Sequence, residues 1–132
     1  MTRTILVTGG AGFIGSTLVR ELLNGTDHQI VTLDALTYAG HTASLEEVME
    51  HPRHTFVQGD VADANLVDQL FTAHAPDAVM HLAAESHVDR SIEGPRAFLD
   101  TNVTGTFTLL EAARKHWQGR SDVRFVHVST DE

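Results

Sequence analysis

Apolar positions along the chain keep two rhythms in alternation. Short β-branched runs mark five strands: Ile5-Leu6-Val7, Gln29 to Leu33 ending on Asp34, Thr55 to Gln58, Ala78 to Leu82, and Val123 to Val128. Between them the spacing turns helical. Phe13 to Leu23 carries Ile14, Leu18 and Leu22 at i,i+4 intervals with Val19 and Leu23 beside them, and stops near Asn24-Gly25. A short helix is expected over Ser44 to Glu50, broken by His51-Pro52. Asp63 is placed to cap a helix with the apolar face Leu66, Val67, Leu70 and Phe71, and Pro76-Asp77 ends it. A long helical stretch, Pro95 to His116, carries Phe98, Leu99, Val103, Phe107, Leu110 and Ala113. Strands alternating with helices predict an α/β fold, a doubly wound parallel sheet of the Rossmann type with strand order 3-2-1-4-5. No linker divides the chain, so residues 1–132 read as a single domain. Ligands would gather at the carboxyl ends of the strands. The chain stops at that edge, so the domain is expected to be truncated after strand five, with a substrate domain absent.

Composition narrows the partners. Nine Lys and Arg against eighteen Asp and Glu give a net charge of −9, which argues against nucleic acid and anionic membrane as partners. Cysteine is absent, which removes disulfides and thiolate metal sites. Met1-Thr2-Arg3-Thr4 leads straight into strand residues without a signal-peptide core, and no apolar run approaches the roughly 18–20 residues of a membrane span. A soluble, cytoplasmic protein is expected.

The densest chemistry lies in Thr8-Gly9-Gly10-Ala11-Gly12-Phe13-Ile14-Gly15, a Gly-x-x-Gly-x-x-Gly loop that joins a strand to a helix. Gly9 would let the chain turn off the strand. Gly12 would let backbone approach a pyrophosphate, and Gly15 would let the helix pack closely. The phosphates would sit on free N–H groups at the positive end of the helix dipole. A tight turn that binds nothing is the plainer alternative. Asp34, about 20 residues on, is placed to accept from both ribose hydroxyls and to repel a 2′-phosphate, which favours NAD over NADP. Asp60 could meet the adenine amino group with Val61 against the ring, although Gly-Asp is also ordinary turn chemistry. Leu82-Ala83-Ala84-Glu85-Ser86 offers small residues for close approach and a hydroxyl toward a sugar, or simply tight packing. His81, Glu85 and His87 lack a metal-binding spacing, so no metal is expected. Beyond the end of strand five, Thr130, Asp131 and Glu132 place two carboxylates where repulsion could hold one as an acid and leave the other a base. A solvated, frayed terminus is the alternative.

Taken together, the glycine loop, Asp34-Ala-Leu-Thr-Tyr-Ala-Gly40, His81-Leu-Ala-Ala-Glu-Ser-His-Val-Asp-Arg-Ser91, Asn102-Val-Thr-Gly-Thr106 and Ser129-Thr-Asp-Glu132 resemble the extended short-chain dehydrogenase/reductase family of nucleotide-sugar enzymes. The narrower segments resemble its dTDP-glucose 4,6-dehydratases. The resemblance implies that NAD⁺ takes hydride from C4 of the glucose ring, water leaves across C5–C6, and hydride returns to C6. It implies Thr130 at O4, Asp131 as the acid on the leaving 6-hydroxyl, Glu132 as the base at C5, and Ser86 as a substrate contact. Phe13, Ile14, Asp34, Ala35, Leu36, Thr37, Asp60, Val61, Leu82 to Ser86 and Thr101 would line the cofactor. It also implies a homodimer paired through two helices per subunit. The family's Tyr-x-x-x-Lys pair is missing: the single tyrosine, Tyr38, has Thr42 four residues on. The 132 residues alone are therefore expected not to turn over sugar. A non-catalytic NAD-binding module, or a dehydratase or epimerase of UDP- or GDP-linked sugars, are the other readings.

Overall fold

A computed structural model describes residues 2–10, 13–35, 45, 46, 48–82 and 103–128. Five strands and three helices run in the order β1 (Thr4–Thr8), α1 (Phe13–Gly25), β2 (Gln29–Asp34), β3 (His54–Gln58), α2 (Ala64–His74), β4 (Ala78–His81), α3 (Gly105–His116) and β5 (Arg124–His127). All neighbouring strands pair in parallel, in the order β3-β2-β1-β4-β5. This is the expected doubly wound sheet.

Strand alternation divides the core into two layers. Ile5 and Val7 of β1 and Ile30 of β2 face Val19 and Leu23 of α1. Leu6, Val31, Leu33 and Val79 face the other way, onto Val67, Leu70 and Phe71 of α2 and Leu109, Ala112 and Ala113 of α3. Central strands buried on both faces read as continuous apolar runs, which is why the strand signal was local and clear. Helix ends are closed by specific groups. The Asp63 carboxylate accepts from the Leu66 N–H at 3.1 Å, the cap expected for α2. Arg53 closes α1 from a distance, its guanidinium donating to the carbonyls of Leu23 at 2.6 Å and His28 at 2.8 Å.

Two apolar faces differ from the expected ones. In α1 the buried stripe is Gly15, Ser16, Val19 and Leu23, while Ile14 stands exposed and Leu18 and Leu22 are half-buried. The helix is rotated because Gly15 seats against the loop: a Cβ there would lie 2.0 Å from the Gly9 carbonyl oxygen. In α3 the core takes Thr108, Leu109, Ala112 and Ala113, leaving Val103 (just before the helix), Phe107 and Leu110 exposed. Packing against α2 selects the small-residue side of α3 and turns the larger apolar side outward. Of the short helix expected over Ser44 to Glu50, the described part makes tight turns, with Val48 N–H on the Leu45 carbonyl and His51 N–H on the Val48 carbonyl. The first eight residues of the Pro95–His116 stretch lie outside the described residues.

Candidate functional site

The parallel registers set the carboxyl ends of all five strands along one edge. Thr8 lies opposite Leu33 and His81, Asp34 opposite Gln58, and His81 opposite His127. The glycine loop crosses this edge toward β2, with the Gly9 N–H donating to the Leu33 carbonyl at 2.9 Å. Gly9 adopts φ +74°, a left-handed conformation that side chains resist. The turn therefore needs a glycine, as its sequence position implied. Directly after the loop comes the N-terminus of α1, whose first turn holds no acidic residue to offset the dipole. Ile14 is 64 % exposed there.

Asp34 closes β2 beside the loop and is 9 % exposed. Its carbonyl accepts from the Gly59 N–H at 3.0 Å, which ties the ends of β2 and β3 together. Asp60 follows, and its carboxylate accepts from the Ala62 N–H at 2.9 Å, so part of its capacity serves the local turn. Val61 is a core residue, packed in the layer with Val67 and Leu70. Leu82 leaves β4 with its N–H shared between the Thr8 carbonyl and hydroxyl, both at 3.1 Å. Ala35 is exposed. The structure thus brings Gly9, Ile14, Gly15, Asp34, Ala35, Asp60 and Leu82 to one edge of the sheet. Gly12, Leu36, Thr37, Ala83, Ala84, Glu85, Ser86, Thr101, Thr130, Asp131 and Glu132 lie outside the described residues, as does the Phe13 side chain.

A buried polar group at the same edge had no local signal in the sequence. His81 is fully buried, with Nδ1 at 2.6 Å from the Thr8 hydroxyl and Nε2 at 2.9 Å from the Thr106 hydroxyl. Its ring stacks on His127, centroids 4.7 Å apart. Burial, aided by the neighbouring His127, pushes its pKa down to about 4. The ring is then neutral near pH 7, with one nitrogen donating and the other accepting. His81 so joins the end of β1, the end of β4 and the start of α3. Only the Thr8–His81 juxtaposition follows from strand order; the Thr106 contact depends on how α3 packs.

The edge has the features a dinucleotide site requires: a left-handed glycine turn, a helix docked without room for a Cβ, and a carboxylate ending the second strand. Among the described residues no three His, Asp or Glu side chains are grouped to hold a metal. No helix among them is long and apolar enough to cross a membrane.

Known proteins share both sequence and architecture with this chain. It is 55 % identical over 133 residues to dTDP-glucose 4,6-dehydratase of Shigella flexneri, covering 97 % of this chain and 37 % of that protein. The crystal structure of the Streptomyces venezuelae dTDP-glucose 4,6-dehydratase, with NAD and TDP bound, matches with a TM-score of 0.87 and 51 % identity, over 98 % of this chain and 40 % of that one. UDP-glucose 4-epimerase of Thermotoga maritima shares the fold with a TM-score of 0.82 and 33 % identity, over 96 % and 38 % of the two chains. The chain thus spans well under half the length of the relatives it matches. The match over residues 6–132 is with the family described as GDP-mannose 4,6 dehydratase, and with the edge arranged in this way the chain belongs to that family.

Proposed function

We propose that the chain is the NAD-binding portion of a dTDP-glucose 4,6-dehydratase, a lyase that removes water from a nucleotide-linked sugar. The observation that carries the reading is the placement of Asp34 at the end of β2 beside the left-handed turn at Gly9. Asp34 would bind the ribose hydroxyls and exclude a 2′-phosphate, and the loop and the start of α1 would hold the pyrophosphate, with Ile14 against the cofactor. When bound, NAD supplies a hydride acceptor for the sugar. The chain's own carboxylates would do the proton work, Asp131 protonating the leaving 6-hydroxyl and Glu132 taking the C5 proton, with Thr130 and Ser86 holding the sugar. These last four residues are assigned by resemblance. The exposed Phe107 and Leu110 of α3 suit a helix-paired homodimer of the whole protein, which would work in the cytoplasm. The epimerase fold is shared, so architecture does not separate the two activities. The Asp131-Glu132 pair favours elimination, because an epimerase loses no water.

Titration calorimetry with NAD and NADP tests the cofactor assignment. NAD is expected to bind more tightly than NADP, and Asp34→Ala is expected to weaken NAD about 100-fold or more, the worth of two hydrogen bonds to a carboxylate at about 1.5 kcal/mol or more each. Equal affinity for the two cofactors, or an unchanged Asp34→Ala variant, overturns it. For the reaction, mass spectrometry of dTDP-glucose treated with the full-length gene product is expected to show a nucleotide sugar one water lighter. A product of unchanged mass would be an epimer and would overturn the dehydratase assignment.

A further inference from the structure

The glycine that follows Gly9 is explained by something beneath it. A Cβ on Gly10 would lie 2.2 Å from the Thr32 Cγ2 methyl, so the loop backbone rests directly on the Thr32 side chain. Thr32 is fully buried in the middle of β2, and it is not free to turn. Its hydroxyl lies 2.8 Å from Nε2 of His54, at the start of β3. His54 is buried too, and its Nδ1 lies 3.0 Å from the Val48 carbonyl.

These contacts fix every proton. The Val48 carbonyl can only accept, so Nδ1 carries the hydrogen. Burial, outweighing the opposing Val48 bond and reinforced by nearby His51, lowers the His54 pKa and favours the neutral ring. In that ring Nε2 is an acceptor, so the Thr32 hydroxyl donates to it. Threonine has two different γ substituents, and directing its oxygen at Nε2 leaves its methyl under Gly10. A chain of four groups, Val48, His54, Thr32 and Gly10, thus runs from the connection before β3 to the phosphate-binding loop.

We propose that His54, acting through Thr32, is a positioning residue for the glycine loop and sets how tightly the chain holds a dinucleotide. Both side chains are buried beneath the loop, so they act on a ligand through the loop backbone. Their effect is to fix the height and rigidity of the loop backbone. The inference rests on the NAD reading above.

A double-mutant cycle read by NAD titration separates positioning from bulk stability. His54→Phe frees the threonine rotamer and is expected to weaken NAD about five- to tenfold. Thr32→Val places methyls at both γ positions and removes the rotamer choice. In that background His54→Phe is expected to leave NAD affinity unchanged, although both variants lower the melting temperature. Thr32→Ser keeps the hydroxyl for His54 but lacks the methyl under Gly10, and it is expected to weaken NAD by a similar factor. It is also mild enough to fold if His54→Phe does not. The imidazole ¹⁵N spectrum of the ligand-free chain is expected to show Nδ1 protonated and Nε2 bare at His54. Equal His54→Phe effects in both backgrounds, unchanged NAD affinity in Thr32→Ser, or a protonated Nε2 each overturn the proposal. Failure of the wild-type chain to bind NAD overturns the cofactor assignment, and this proposal with it.

Discussion

Acid should unlock the sheet at His81. The unfolded ring takes a proton near the ordinary histidine value of 6.5, whereas the folded ring takes one only near 4. Between those values the unfolded state binds more protons, so folding is favoured at high pH and weakened as pH falls. The contribution is complete above about pH 6.5 and is lost progressively down to about pH 4. The shift is worth about 3 kcal/mol in all, of which about 2 kcal/mol disappears between pH 7 and pH 5. That is a large part of the roughly 5–15 kcal/mol that holds an ordinary domain folded. His54, also lowered, acts in the same direction. The assay is urea denaturation at pH 7.5, 6.5, 5.5 and 5.0, comparing wild type with His81→Asn, which lacks a titratable ring. The variant is expected to be less stable at pH 7.5, because it leaves part of the imidazole's volume empty. Its stability should fall less steeply toward pH 5, so the two curves converge. Parallel curves would show that His81 does not titrate as its burial dictates, and would refute the reasoning.

Two further substitutions probe the frame around the site. Gly15→Ala puts a methyl 2.0 Å from a backbone oxygen with no flexible end to yield, so a loss of about 3 kcal/mol or more, or failure to fold, is expected by urea denaturation. Arg53→Ala strips two carbonyls at the C-terminal side of α1 of a charged donor, and thermal denaturation is expected to show a loss of about 1–2 kcal/mol.

What the sequence made legible was local. The left-handed turn at Gly9, the cap at Asp63 and the strand ending on Asp34 each depend on residues within a few positions of one another, and the structure places all three as read. Strand order followed from the alternation of helix and strand, because handedness leaves few ways to wind it. What was hidden was set by contact across the chain. Ile14, Leu18 and Leu22 read as the apolar face of α1 with Val19 and Leu23 beside them, but with Gly15 seated on Gly9 the stripe centres on Val19 and Leu23, Leu18 and Leu22 pack at its margin, and Ile14 faces out. Phe107 and Leu110 looked like core, yet α2 offers α3 a surface that suits small residues. The hydroxyl partners of His81 and His54 lie 22 to 73 residues away in sequence, and no periodicity marks them. A second glycine beside Gly9 was the available hint of Thr32 below it.

Because β1 is the middle strand and also the first made, it waits for its two neighbours over very different spans. Ile5 sits between Ile30 of β2 and Ala78 of β4. Drawing in the longer loop costs only about 1 kcal/mol more entropy than the shorter one, since the cost grows with the logarithm of length. The delay lies in synthesis, where the stretch between those two partners takes roughly 2–10 seconds to make. For most of that interval, before α2 is made, α1 can already cover Ile5, Val7 and Ile30, while Leu6, Val31 and Leu33 have neither α2 nor α3 to lie under. The nascent chain therefore spends most of those seconds as half of a sandwich, one side closed and the other an open apolar sheet within reach of any chaperone at the ribosome exit.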